Sequence, residues 1–261
     1  MRASEGKTLS RRVQTRLTNW VALCVAIHLV ADFFFMTEPY LEVSHPMGLV
    51  ASQCGLLTLW CVKSETYRVL RFAIAALTPI ACWNFLSWVI AWDRGHDIAI
   101  AWAFAFLLQV VTIAILVAGQ RWIKSRNSEK RIFQLQLETM LLWIGGFAIW
   151  FGFVRLGHTK WDWTLDFLSA DLAKMMITLG ALLGLTTVWA HWIYEGISVQ
   201  NIVCRSIGLL APIIVGNVVA FGVWPAYFGE GWSNLIAVVS IHSVATVCSL
   251  AMVFGLQTRT A

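Results

Sequence analysis

Long apolar runs, each followed by a short polar segment, recur along the whole chain. A helix needs about 20 predominantly apolar residues to cross the hydrocarbon core of a bilayer. The chain contains eight such runs, at residues 18–37, 46–62, 70–92, 98–119, 135–154, 172–193, 206–224 and 233–255. The second and the seventh are short and contain glycine. The sequence therefore predicts an all-α, polytopic transmembrane helix bundle of about eight spans.

The balance of polar and apolar residues supports the same class. Of the 261 residues, 59% are hydrophobic and 13% are charged, whereas about a quarter of the residues in a soluble domain are charged. So few polar side chains cannot cover a water-facing globule. No polar segment is long enough for a soluble domain, and residues 1–261 are therefore interpreted as a single membrane domain.

The basic residues predict the orientation of the spans. If the N-terminus lies inside, all but four of the 19 Lys and Arg residues fall on the inner side, the exceptions being Arg94, Arg155, Lys160 and Lys174. Inner loops of membrane proteins carry such an excess. The basic N-terminal segment precedes an apolar run of full span length with no A-x-A-like cleavage site, which indicates a retained span. We therefore predict a protein of the cytoplasmic (inner) membrane with both termini in the cytoplasm.

The segment "GQRWIKSRNSEKRIFQ" separates two groups of four spans. It predicts a basic cytoplasmic loop at 120–134 between halves 1–119 and 135–261. Such a loop suits a protein partner or anionic lipid headgroups, and the chain shows no basic and aromatic surface suited to nucleic acid. The strings "LTLW" and "TPIACWN" parallel "LTTVW" and "APIIVGN", so the halves are either repeats or unrelated segments of similar composition.

Tryptophan is abundant, with 15 residues. Indole rings favour the headgroup layer of a bilayer, so residues near predicted outer ends, including Trp88, Trp102, Trp161 and Trp163, are interpreted as an aromatic belt. The deeper residues Trp83, Trp143 and Trp150 are predicted to pack between helices.

The stretch "VAIHLVADFFF" places two ionisable residues inside the first apolar run. His28 and Asp32 are four residues apart and so share one helix face with Trp20 and Cys24. At 1.5 Å per residue, His28 lies about 15 Å and Asp32 about 21 Å from the inner edge, and His242 lies about 14 Å from the outer edge. Four amides fall in the same layer, which gives a candidate polar site of His28, Asp32, His242, Gln53, Asn84, Gln109 and Asn217. If their helices face inward, these groups would line one polar cavity that opens outward.

Three functions fit this pattern. A charge at mid-bilayer costs about 3 kcal/mol or more, so such residues face protein or water and often mark a pathway. The first hypothesis is a non-enzymatic membrane protein with a structural, partner-binding or sensing role, in which these groups are interhelical hydrogen bonds. The second is a small transporter or proton-coupled carrier that uses an intramembrane site of His28, Asp32 and His242.

The third hypothesis is an intramembrane metal or redox protein, with His28, Asp32 and His242 as candidate ligands and Cys24 beside them. Cys24 and Asp32 are about 12 Å apart along a helix, too far to share one ion. No P-loop, HExxH motif or nucleophile elbow is present. No catalytic residue and no cofactor is therefore predicted.

Two segments resemble families of unknown function. In "RIFQLQLETMLLWIGGFAIWFGFVR", residues Phe133, Leu137, Leu141, Leu142, Trp143 and Arg155 match a segment common in uncharacterised bacterial multi-pass membrane proteins. The first span is similar to a family that reads H-x-x-x-D-F-x-x-Q: His28, Asp32 and Phe33 match, and Met36 replaces the glutamine. That family tends to carry histidines in its second and fourth spans, which this chain lacks. The resemblance implies a membrane protein and no particular activity.

Overall fold

The computed structural model describes residues 25–34, 44–63, 68–90, 97–125, 132–161, 163, 170–196 and 232–254, with scattered helical residues between 207 and 218. This part of the chain is helical and contains no strand. Its helices are α1 (Val25–Phe34), α2 (Ser44–Lys63), α3 (Arg68–Val89), α4 (Asp97–Ser125), α5 (Ile132–Trp161), α6 (Ala170–Gly196) and α7 (Trp232–Phe254).

Three stretches within these helices are long and apolar enough to cross a membrane. They are Val69–Val89 in α3, Ala99–Gln120 in α4 and Ile177–Glu195 in α6, while Val25–Phe34 and Ile236–Met252 are shorter apolar helices. A helix pairs its own backbone groups, which is what a lipid environment requires. Large apolar side chains such as Val69, Ile115 and Ile177 are exposed on the outer faces of these helices. Those faces suit lipid better than water.

Every described helix overlaps a predicted apolar run, but two helices continue past the predicted ends. α4 extends to Ser125, and α5 covers Ile132–Trp161. Much of the segment 120–134 is therefore helical where the sequence predicts a loop, and residues 126–131 lie outside the described residues. Helices of the two predicted halves pack directly on each other, α4 against α6 and α2 against α7.

The C-termini of four helices meet at one end of the bundle, which we call the C-end. Lys63 Nζ of α2 lies 3.0 Å from Glu195 Oε2 of α6. Trp192 of α6 donates its indole N–H to Gln120 Oε1 of α4 at 3.1 Å. Tyr194 of α6 donates its hydroxyl to the Val247 carbonyl of α7 at 3.4 Å. The helices α2, α4, α6 and α7 therefore run parallel.

The helix α3 runs in the opposite direction. Near its start, Arg71 donates to the Cys61 carbonyl at the end of α2 at 3.4 Å. Near its finish, Trp83 donates its indole N–H to the Ala99 carbonyl at the start of α4 at 2.6 Å. The direction of the chain thus alternates from α2 to α3 to α4.

Two glycines let α6 approach α4 closely. A Cβ at Gly180 would lie 2.6 Å from the Ala105 carbonyl oxygen, and a Cβ at Gly184 would lie 2.8 Å from Thr112 Cβ. Glycines four residues apart form the small-residue pattern that brings helix backbones together in membranes. Because lipid is as apolar as a leucine side chain, such close packing is a main source of helix association there.

An aromatic cluster lies where α3 and α5 end. Trp83 is 0% exposed, and its ring centroid lies 5.3 Å from Phe153, 5.3 Å from Trp161 and 5.6 Å from Trp163. The prediction that Trp83 and Trp150 pack between helices is confirmed, and the side chain of Trp143 lies outside the described residues. The prediction of an aromatic belt is wrong for Trp102 and Trp163, which are buried. A position near a helix end does not determine which way a ring points, and here edge-to-face ring contacts draw the indoles inward.

Candidate functional site

The helix α1 turns its polar face toward α2 and α7. Gln53 of α2 donates its amide N–H to Asp32 Oδ2 at 2.7 Å, and the same nitrogen lies 3.5 Å from His28 Nδ1. His28 Nε2 lies 2.9 Å from Ser249 Oγ of α7. Asp32 is 8% exposed, while Val30 and Phe33 on the other side of α1 are exposed. We call His28, Asp32, Gln53 and Ser249 the α1 site.

The amide nitrogen of Gln53 constrains the protons of its neighbours. An amide nitrogen only donates, so the groups that it faces must accept. The observed contacts therefore correspond to an Asp32 Oδ2 and a His28 Nδ1 that carry no proton. The neutral imidazole then carries its proton on Nε2 and donates it to Ser249 Oγ, 2.9 Å away.

A second group of polar side chains lies at the centre of the bundle, where α2, α4, α6 and α7 meet. His242 Nε2 lies 3.0 Å from Thr186 Oγ1, 3.4 Å from Thr187 Oγ1 and 3.1 Å from the Leu183 carbonyl oxygen. Gln109 donates its amide N–H to the Ala51 carbonyl at 2.9 Å. We call Gln109, Thr186, Thr187 and His242 the central cluster.

The glycine at position 55 makes room for the central cluster. A Cβ there would lie 2.6 Å from Thr187 Oγ1 and 2.8 Å from Gln109 Nε2. Any larger side chain would separate these groups, so the absence of a side chain on this face of α2 allows polar groups of α4 and α6 to approach each other.

Two atoms of the central cluster have no hydrogen-bond partner within the described part of the chain. Both Thr186 and Thr187 donate to the Leu183 carbonyl at 2.9 Å. A carbonyl only accepts, so the Leu183 contact is a hydrogen bond when His242 Nε2 carries the ring proton. His242 Nδ1 and Gln109 Oε1 are both buried and unpartnered, although the Ala51 carbonyl lies close to the ring. A buried polar atom without a hydrogen bond costs about 1–3 kcal/mol.

The helix α7 borders both groups along one face. Ser249 contacts the α1 site, His242 belongs to the central cluster, and between them Thr246 Oγ1 lies 3.1 Å from Ser52 Oγ of α2. His242, Thr246 and Ser249 are spaced by four and three residues and so share a helix face. A movement of α7 would therefore change hydrogen bonds in both groups.

The structure divides the predicted polar site into two groups. His28, Asp32 and Gln53 lie together, and His242 lies near Gln109. Asn84 donates its amide to the Ile80 carbonyl of its own helix at 2.9 Å. It makes no hydrogen bond to the other predicted residues within the described chain.

The remaining predicted residues cannot be placed in either group. Trp20, Cys24 and Asn217 lie outside the described residues. Across the described helices, no three His, Cys, Asp or Glu side chains lie close enough together to hold a metal ion.

Sequence reasoning missed the hydroxyl residues of both groups. Ser and Thr are common in apolar helices, where they hydrogen-bond to their own backbone, as Thr58 does to the Cys54 carbonyl at 2.7 Å. Their spacing was nevertheless a usable signal, because Thr246 and Ser249 share a helix face with His242.

The chain matches no protein-family model, no curated protein and no solved structure. The resemblances of the first span and of residues 131–155 to families of unknown function therefore stay predictions.

Proposed function

We propose that the chain is a multi-pass protein of the cytoplasmic membrane with eight spans and both termini in the cytoplasm. Its membrane-length apolar helices support this. The parallel directions of α6 and α7 also support the span that the sequence predicts at 206–224, between these two helices. The C-end would then face the cytoplasm, in agreement with the excess of basic residues on that side.

A reporter fused after Ala261 tests this orientation. We expect a C-terminal green fluorescent protein to fluoresce and a C-terminal alkaline phosphatase to be inactive in a bacterial host, because the former folds in the cytoplasm and the latter needs an oxidising compartment. Fusions after Trp161, at the opposite end of α5, serve as the control and should give the reverse result. Active phosphatase at Ala261 would contradict the orientation.

We also propose that the α1 site binds and releases protons and that the protein is a small proton-coupled carrier. The observation that carries this proposal is the position of the Gln53 amide nitrogen between Asp32 Oδ2 and His28 Nδ1. A proton on either of those atoms would face a donor. The amide group of Gln53 must then rotate so that its oxygen faces the proton. The rotated amide has nearly the same shape, but it accepts a hydrogen bond where it previously donated one. Binding of a proton at either of these two atoms thus requires a rearrangement at the contact between α1 and α2.

A purely structural role explains less of this arrangement. Two amides, or an amide and a hydroxyl, would hold α1 to α2 without an ionisable group. A carboxylate at membrane depth adds a cost of about 3 kcal/mol or more, whereas an interhelical hydrogen bond in a membrane contributes on average about 0.6 kcal/mol. The cost exceeds the benefit, and this favours a role in which Asp32 changes its protonation state.

The substitution Asp32→Asn tests the proposal, because asparagine keeps the shape and can accept from Gln53 but cannot bind a proton. We expect proteoliposomes of the natural chain on a solid-supported electrode to give a transient current after a pH jump, since proton binding inside the membrane displaces charge. In Asp32→Asn this current should fall clearly, because only His28 of the pair can still bind a proton. This readout needs no transported cargo.

The matched control is Asn84→Ala, which removes a predicted site residue that the structure keeps out of both groups. It should leave the transient current unchanged. A structural, partner-binding or sensing protein would give no transient current in any variant. That result, or a full current in Asp32→Asn, would rule out the proton-linked role.

A further inference from the structure

A line of polar side chains on α6 leads from the central cluster to the C-end. Thr187, His191 and Glu195 are spaced four residues apart and so lie on one face of the helix. We call these three residues the α6 stripe. At its inner end, Thr187 Oγ1 lies 3.4 Å from His242 Nε2. The stripe covers about 12 Å along the helix axis.

The other end of the α6 stripe reaches the surface. His191 Nε2 lies 3.2 Å from Glu195 Oε1, and Glu195 Oε2 lies 3.0 Å from Lys63 Nζ of α2. The side chain of Glu195 is 38% exposed, whereas that of His191 is 4% exposed. The polar groups thus lead from His242, which is fully buried, through His191, which is also buried, to the ion pair of Lys63 and Glu195 at the surface.

The surroundings of the α6 stripe are apolar at the same depth. Leu59, Ile113, Val117, Val188, Ala190 and Leu250 form a buried apolar cluster there. Val188 follows Thr187 directly in sequence but turns into that cluster. Thr187 and Val188 are therefore adjacent on α6 but face different parts of the bundle interior.

A role in stabilising α6 alone does not require this arrangement. An exposed ion pair at i, i+4 on a helix contributes about 0.3–0.5 kcal/mol, and Glu195 could form one with an exposed residue. The ion pair therefore does not account for His191, whose side chain is 4% exposed and lies between Thr187 and Glu195 on one helix face, and this position points to a role in conduction.

We propose that the α6 stripe is the access route by which water and protons reach the central cluster from the C-end, with the pair Lys63–Glu195 at its mouth. Its biological purpose rests on the proposed proton-linked function. The route itself is a property of the bundle and can be tested without any measurement of proton binding or transport.

Cysteine accessibility tests the route. In a full-length background in which the six native cysteines are replaced by alanine, single Thr187→Cys, His191→Cys and Val188→Cys variants are placed in lipid nanodiscs. Each is reacted with 2-aminoethyl methanethiosulfonate or Ag⁺, and modification is followed by mass spectrometry. Only a hydrated thiol forms the reactive thiolate readily, so we expect Thr187→Cys and His191→Cys to react at least about tenfold faster than Val188→Cys.

Val188→Cys is the matched control, because Val188 is buried, adjacent to Thr187 and of similar size to cysteine. Equal and slow reaction at 187, 188 and 191 would overturn the route, and so would equal and fast reaction, which would show general hydration of the helix. Fast reaction at 187 and 191 together with no transient current after a pH jump would support the route and refute the proton-linked function. The two proposals can therefore fail separately. Thr187→Cys and Val188→Cys each replace a side chain with one of similar size, so these two variants keep the test valid if His191→Cys does not fold.

Discussion

Gly180→Ala is expected to lower the free energy of unfolding by about 1–3 kcal/mol, the range observed for overpacking of a well-packed interior. The added Cβ would lie 2.6 Å from the Ala105 carbonyl oxygen and 2.7 Å from Leu108 Cβ. Neither atom can move without a shift of the α4 backbone. The helices α4 and α6 must therefore separate by a few tenths of an ångström, and close backbone packing is what holds helices together in lipid. The midpoint of thermal unfolding in detergent, followed by far-ultraviolet circular dichroism, measures the effect.

The matched control is Gly119→Ala on α4. A Cβ at Gly119 would meet nothing within 4 Å, and alanine is a better helix former than glycine by up to about 1 kcal/mol. We therefore expect Gly119→Ala to be neutral or slightly stabilising, opposite in sign to Gly180→Ala. Equal unfolding midpoints for the two variants would show that α4 and α6 do not approach as closely as described.

The positions of the helices could be predicted from the sequence because hydropathy is a local property. A run of apolar residues indicates a span whatever surrounds it, and α2, α3, α6 and α7 each lie within a few residues of a predicted run. The faces of the helices could not be predicted in the same way. Gly180 and Gly184 acquire their importance from Ala105 and Thr112 on another helix. Hydropathy carries no information about such a partner.

The candidate site shows the same division. His28 and Asp32 could be placed on one face because i, i+4 geometry is internal to a helix. Gln53 and Asn84 are both assigned to the candidate polar site from their predicted depth alone, since both are amides in the same layer. The structure separates them: Gln53 bonds to Asp32, while Asn84 bonds to its own helix. The rotation of each helix about its axis decides this difference, and it is set by tertiary packing.

Trp83→Ala is expected to have the largest effect on stability, about 3–5 kcal/mol, which is the usual cost of truncating a buried aromatic residue. Trp83 is 0% exposed, and its indole N–H pairs with the Ala99 carbonyl at 2.6 Å. The substitution removes edge-to-face contacts to Phe153 and Trp163 and leaves the Ala99 carbonyl without this donor. Because these contacts join α3 to α4 and α5, loss of the ring should loosen three helices at once.

Trp88→Ala on the same helix is the matched control for this prediction. Trp88 is 65% exposed, and both variants make the same chemical change in α3, so differences in helix propensity cancel. We expect Trp88→Ala to change the free energy of unfolding by about 0.5 kcal/mol or less, as surface substitutions usually do. The sequence places both tryptophans in one apolar run, and only the structure assigns one to the interior and the other to the surface. If the two variants unfolded at the same denaturant concentration, the aromatic cluster would not be the contact that fixes α3 against α5.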